Sequence, residues 1–194
     1  MKNYALRRKF ILLISFPVLL LPYACVQQSK PEPPQPTARQ TVEKTPAAKD
    51  LHISSTAFAA GQKIPSQYTC DGADINPPLD IADIPESAKS LALIVDDPDA
   101  PIGTWVHWVV WNIPVARQIP ENKVPGKLGL NDFKKQAYGG PCPPSGTHRY
   151  FFKVYALDAM LDLPDTAGKA QLEKAMNGHI VAKGELIGLY QKKD

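Results

Sequence analysis

The chain has no uninterrupted apolar run of the roughly 20 residues that a membrane-spanning helix needs. It has no glycine-rich phosphate cradle of the nucleotide-enzyme kind, no strand–turn–helix nucleophile elbow and no repeat at solenoid or propeller period. A multi-spanning helical membrane protein, a nucleotide enzyme, an elbow hydrolase and a repeat architecture are therefore not expected. Cysteine is scarce, with three among 194 residues. Metal ligands are scarce too: His107 and His148 have no near-spaced third partner. No cofactor, no metal and no catalytic group is expected. The length suits one domain with a proper core.

Charge is divided unevenly. Residues 1–50 hold eight of the 22 bases and three of the 19 acids, which leaves 14 bases and 16 acids beyond them. The net +3 thus belongs to the amino-terminal stretch, and the rest carries no basic stripe. That does not suit a nucleic-acid binder. Residues 1–24 read as an export signal: Lys2, Arg7, Arg8 and Lys9 precede the twelve-residue apolar run Phe10 to Leu21. An uncleaved hydrophobic anchor is the alternative. Leu21-Pro22-Tyr23-Ala24-Cys25 is similar to a bacterial lipobox, which makes Cys25 the expected site of lipidation. Ordinary cleavage after Ala24 stays open. Residues 25–50, with Pro31, Pro33, Pro34, Pro36 and Pro46 among polar residues, read as a semi-stiff tether. The expected domain is 51–194, held at the cell envelope and facing the periplasm or the outside.

With Cys25 set aside, Cys70 and Cys142 remain. Two thiols in a small exported domain usually pair, with two buried free thiols as the alternative. Leu51–Phe58 reads as a first strand. Ser90–Asp96 is a continuous apolar run that can be buried on both faces, and Pro98 and Pro101 end it. Trp105–Ile113 and the aromatic Tyr150–Leu157 are further strands, and Glu185–Gln191 a last one. Between them, Pro114 to Thr147 is long, proline- and glycine-rich and without period, which marks a functional or disordered loop. The spacing predicts one helix, Thr166–Asn177, capped by Thr166 and stopped by Gly178. The sum is mainly β (α+β).

Alternate strand residues share a face, roughly 6.6 Å apart. His148, Tyr150 and Phe152 should point one way, and so should Trp105, His107, Val109 and Trp111. His107 is then a polar group in an apolar row and needs a partner. Asp97 and Asp99, at the end of the preceding strand, can supply one. Two imidazoles, a phenol and a carboxylate at strand ends would make a small pocket for an anionic oxygen, with Asp97 fixing a ring tautomer. Each could equally be a satisfied structural residue. His52, His179 and Ser145 are not site candidates, and Trp105, Trp108 and Trp111 are expected in the core.

Two motifs sharpen this. Asp97-Pro98-Asp99-Ala100-Pro101 with Trp105-Val106-His107-Trp108, and Gly140-Pro141-Cys142-Pro143-Pro144-Ser145-Gly146-Thr147-His148-Arg149-Tyr150, resemble the two signatures of the phosphatidylethanolamine-binding protein (PEBP) family. Flanking matches at Tyr68 to Gly72, Asn131 to Phe133 and Gly178 to Ile180 extend the likeness over about 51–194, in its bacterial Raf-kinase-inhibitor-like branch. The resemblance implies a central antiparallel sheet, a smaller second sheet and peripheral helices. It implies a pocket for a phosphate-like anion or phospholipid head group, made of Asp97, Pro101, His107, His148 and Tyr150, with Asp99 and Arg149 in support. It also implies a cis peptide before Pro101 and a Cys70–Cys142 disulfide. The function expected is a binding or regulatory module, with inhibition of a kinase or protease as its possible protein-partner role. A phosphoester or ester hydrolase using the pocket histidines, and a structural envelope lipoprotein, are the alternatives. Eukaryotic members continue past the last strand with a segment near the pocket, whereas this sequence ends at Asp194, so their kinase-binding role is not expected to transfer.

Overall fold

Strand β4, Ser90–Asp97, is buried along its whole length and is the spine of the molecule. The computed structural model describes residues 48–123 and 125–192. The expected signal peptide, Cys25 and nearly all of the tether lie outside them. Around β4 a six-stranded sheet is ordered β1-β9-β8-β4-β5-β7. Its other members are β1 (Lys49–Asp50), β5 (Trp105–Ile113), β7 (Lys127–Leu128), β8 (Thr147–Leu157) and β9 (Ile180–Gln191). All pairs are antiparallel except β1 with β9, so the sheet is mixed, and among the described residues pairing begins at Lys49. A second, three-stranded antiparallel sheet consists of β2 (His52–Ser54), β3 (Leu79–Ala82) and β6 (Gln118–Ile119), in the order β2-β3-β6.

The two faces of β4 explain its unbroken apolar run. Leu91, Leu93 and Val95 pack with Ile53, Leu79, Ile81 and Ile119 of the small sheet. Ala92 and Ile94 pack on the other face with Leu161, Leu172 and Met176. The last two belong to the helix α1, Lys169–Met176. No helix among the described residues is long and apolar enough to cross a membrane.

Several expected boundaries shift for local reasons. The first strand stops at Ser54 because Ser55 Oγ donates to the Pro78 carbonyl at 2.6 Å and accepts the Ala57 N–H at 3.1 Å, which turns the chain. The helix begins at Lys169, not Thr166: a turn from Ala167 N–H to Pro164 O uses the preceding residues. Gly168 becomes the N-cap, its N–H held by Gln171 Oε1 at 3.1 Å. Gly178, at φ 83°, ends the turn as expected. Strand β9 starts at Ile180 because β8 pairs with it as far as Leu157.

One departure decides the site. Strand β5 does not alternate strictly. Asp96 faces Val106 and Val95 faces Trp108, so His107 is an extra residue in the ladder, a β-bulge. Val109 and Trp111 fall on the helix side, whereas Trp108 and Val110 face the small sheet. His107 therefore does not share a face with Val109 and Trp111. The bulge keeps it with Trp105 on the side that Tyr150 occupies.

Candidate functional site

A hollow of about 320 Å³ opens where β4 ends and β5 and β8 begin. It is lined by Asp97, Pro101, Trp105, His107, Phe133 and Tyr150, with Ala100, Ile102, Cys142, Pro143 and Pro144 completing the wall. Four of the five expected ligand residues thus meet in one place. The fifth, His148, is buried behind it and reaches the hollow through Asp97.

The polar groups form a chain of fixed donors. His148 Nδ1–H donates to Asp97 Oδ2 at 2.7 Å, and the Asp99 N–H donates to Asp97 Oδ1 at 2.8 Å. Both carboxylate oxygens are therefore held. Asp99 is clamped in turn by Arg149, whose N–H and Nε donate to Oδ2 at 2.9 Å and whose Nη2 donates to Oδ1 at 2.7 Å. This forked ion pair holds the Asp99 carboxyl down at about 2, mainly through its hydrogen bonds to Arg149. Asp99 and Arg149 thus buttress Asp97 from the rim.

His107 is anchored from the opposite wall. Its Nδ1–H donates to the Gly139 carbonyl at 2.6 Å. Its ring lies edge-on to Tyr150, at 5.2 Å between centroids, and to Phe133, at 5.4 Å. Burial lowers its pKa, against the upward pull of the Gly139 carbonyl and Asp97, so the ring is neutral at pH 7. Tyr150 is fully buried, and burial followed by the nearby Asp97 charge pushes its phenol far up. Its Oη remains a protonated donor. It has no hydrogen bond of good geometry, although Asp97 and the Cys142 backbone stand close enough to affect its ionisation.

The wall carrying Gly139 is fastened down in several ways. The Cys70–Cys142 disulfide joins it to the 68–72 loop. Cys70 N–H donates to Pro141 O at 3.2 Å, Gly140 N–H to Asp74 Oδ1 at 2.6 Å and Tyr138 Oη to Tyr68 O at 2.9 Å. Gly140 is needed here, since a Cβ would come within 2.5 Å of the Tyr68 carbonyl oxygen.

Two expectations are corrected. No cis peptide occurs among the described residues, so the Ala100–Pro101 bond is trans. The Gly103 N–H donates to Ala100 O at 3.1 Å, which puts Pro101 second in a β-turn, a position that trans proline suits. Trp105 is not core: it is half-buried and lines the hollow, edge-on to Phe133 at 5.4 Å. Trp108 and Trp111 are buried as expected. His52 is exposed, and His179 is an exposed partner of Asp158 at 2.8 Å. Sequence reasoning missed Ile102, which is 83% exposed at the mouth, and Phe133. It also missed the Gly139 carbonyl, which lies just before the second motif's Gly140.

Other charged groups are paired within the fold. Asp96, adjacent to Asp97 but on the opposite face, is fully buried between Lys153 at 2.8 Å and Lys169 at 2.9 Å. A larger hollow of about 430 Å³ beside α1 is lined by Lys169 and Glu173, which pair with each other at 3.6 Å. No group of three or more His, Cys, Asp or Glu among the described residues could hold a metal ion.

Comparison with known proteins agrees across sequence and structure. The family profile described as phosphatidylethanolamine-binding protein matches residues 54–191. A UPF0098 protein of Pyrococcus abyssi is 52% identical over 151 residues, covering 72% of this chain and 84% of the relative. A UPF0098 protein of Aquifex aeolicus is 50% identical over 152 residues, covering 73% and 89%. The crystal structure of a PEBP homologue from Chlamydia trachomatis superposes with a TM-score of 0.72 at 42% identity, over 75% of this chain and 100% of that one. That of YbcL from E. coli, described as a member of the mammalian PEBP family, gives 0.69 at 29% identity over 74% and 99%.

Proposed function

This chain belongs to the phosphatidylethanolamine-binding protein family, and on that premise we propose that it is an exported binding module whose hollow holds a phosphate-type anion. Family membership supports anion or phospho-ligand binding in general terms. The disulfide suits an oxidising compartment outside the cytoplasm. The observation that carries the reading is the convergence of Asp97, Pro101, His107 and Tyr150 on one hollow of ligand size, where the buried Tyr150 hydroxyl has no hydrogen bond of good geometry. A buried donor without a partner is costly, and a ligand oxygen would relieve it. Asp97, Pro101, His107 and Tyr150 make the contacts in this reading. His148, Asp99 and Arg149 act as positioning residues through Asp97. The apolar rim of Ile102, Trp105 and Phe133 suits an uncharged portion of the ligand next to its phosphate.

In this reading the domain, which starts with β1 at Lys49, hangs from the envelope by the preceding tether, acylated at Cys25. Mass spectrometry of the exported chain tests this part: an unmodified Cys25, or a retained signal, overturns it.

Calorimetric titration of the full chain with inorganic phosphate and with phosphoethanolamine tests the pocket. Saturable one-site binding is expected, weakened at least about tenfold by His148→Ala, because Asp97 then loses the charge-assisted hydrogen bond that positions it in the hollow. Binding that is unchanged in a folded His148→Ala variant refutes the assignment.

A further inference from the structure

Resting on that reading of the hollow, we propose that it accepts its ligand only together with one proton, and so prefers phosphomonoesters, which can carry that proton, to phosphodiesters, which cannot. The inference follows from which polar atoms meet the ligand. His107 commits Nδ1–H to the Gly139 carbonyl at 2.6 Å, and a carbonyl has no proton to give. The neutral ring therefore offers the hollow a lone pair on Nε2. Asp97 offers a carboxylate whose two oxygens already accept from the Asp99 N–H and from His148 Nδ1–H. Tyr150 Oη–H is a buried donor without a hydrogen bond of good geometry, standing beside Asp97 and the Cys142 backbone. One donor and two acceptors thus face the ligand.

A fully ionised phosphate brings acceptors alone. It satisfies Tyr150, but it sets lone pair against lone pair at His107 and negative charge against Asp97. One proton resolves both conflicts. It sits either on the ligand, as P–O–H donated to Nε2, or on the ring, as Nε2–H donated to P–O⁻. The two forms have the same atoms and the same total charge. A monoester dianion, with a second pKa of about 6, takes up the proton from solvent as it binds. A diester has no second ionisable oxygen, so it can bind only by charging the buried ring. The groups facing His107 are Asp97 on β4, Tyr150 on β8 and Asp74 from the loop beyond the disulfide. His148 stands one hydrogen bond behind Asp97. Asp132, on the Phe133 loop, is turned away to the Val106 N–H at 2.8 Å, and Lys134 and Lys135 on that loop are exposed. Asp97 and Asp74 favour an added proton at His107, and its burial opposes one.

Calorimetry of the full chain separates the possibilities, with inorganic phosphate, phosphoethanolamine as the monoester and glycerophosphoethanolamine as the diester found in an intact phospholipid head group. Between about pH 7 and about pH 8.5, monoester affinity should fall about tenfold per unit, with uptake of about one proton read from buffers of different ionisation heat. At about pH 7.5 the diester should bind at least about tenfold more weakly than the monoester, with the gap narrowing toward acid as the ring is charged. His107→Gln, whose amide can present an N–H without titrating, should close the gap. Monoester binding with no proton uptake, diester binding as tight as monoester at neutral pH, or a gap that survives in folded His107→Gln each overturns the proposal while leaving an anion site standing. If none of the three probes binds at any pH, the anion site falls and this inference with it.

Discussion

Replacing Tyr150 with Phe separates the cost of the hollow from its use. The ring of Tyr150 is fully buried and edge-on to His107 at 5.2 Å, and phenylalanine keeps those contacts. Only the hydroxyl is lost, and it has no hydrogen bond of good geometry. Burying such a group without a partner costs about 1–3 kcal/mol. Removing it should therefore stabilise the unliganded domain by about 1 kcal/mol or more, which for a domain of this size raises Tm by about 3 °C. The same change removes a donor to an anion, worth about 1.5–3 kcal/mol. Affinity for phosphoethanolamine should then fall by about tenfold or more. Urea unfolding without ligand and calorimetric titration with it measure the two effects on one variant. The reasoning requires them to have opposite signs. A Tyr150→Phe protein that is less stable by more than about 1 kcal/mol would mean that the hydroxyl is satisfied within the fold. A variant that binds as well as the parent would mean that the hydroxyl never touches the ligand.

Other expectations can be checked on the same material. The disulfide closes 72 residues of chain, and a loop of that length stabilises by about 4 kcal/mol in the chain-entropy picture. Cys70→Ala with Cys142→Ala should lose most of that in urea unfolding, and a loss below about 1 kcal/mol would count against it. Asp96→Asn removes the fully buried carboxylate between Lys153 and Lys169 and leaves Lys169 only its longer pairing with Glu173 at 3.6 Å. It should cost about 3 kcal/mol, the usual effect of breaking a buried pair, and a neutral result would show the lysines swinging freely into water. Asp99 has a folded pKa of about 2 against the ordinary 3.8, so its share of stability is present above pH 3.8 and lost as pH falls through about 2. Asp99→Asn should flatten the acid limb of the stability curve in that window, and an unchanged limb would refute the link to Arg149. For His107 the sign is reversed. Its pKa is lowered on folding, so the unfolded chain binds more protons and stability declines as pH drops below the ordinary 6.5. His107→Gln should remove that decline, which fluorescence-monitored melts from neutral to mildly acid pH will show.

Pattern reasoning reached the parts of the molecule that alternation and burial control. The unbroken run from Leu91 to Val95 fits a strand with a layer on each side, and that is where β4 lies. Strict alternation also set His148, Tyr150 and Phe152 on one face, since β8 pairs with β9 without a slip from Thr147 to Ala156. The same rule failed on β5. The extra residue at His107 depends on how that strand pairs with its neighbour, and composition does not record it. Trp105 was assigned to the core because tryptophan on an apolar strand usually belongs there, yet β5 begins at the mouth of the hollow. The Gly139 carbonyl lay beyond reach for another reason. The segment from Pro114 to Thr147 has no period, and its course is set by the disulfide and by single hydrogen bonds such as Gly140 N–H to Asp74.

Asp96 and Asp97 are one peptide apart and look in opposite directions. The first is gripped by lysines beneath the helix, and the second forms the floor of the cavity. The strand that carries both is fully enclosed, so a backbone shift at one is passed to the other. Substitutions at Lys153 or Lys169, on the far side of the sheet, therefore do not make neutral controls for ligand binding.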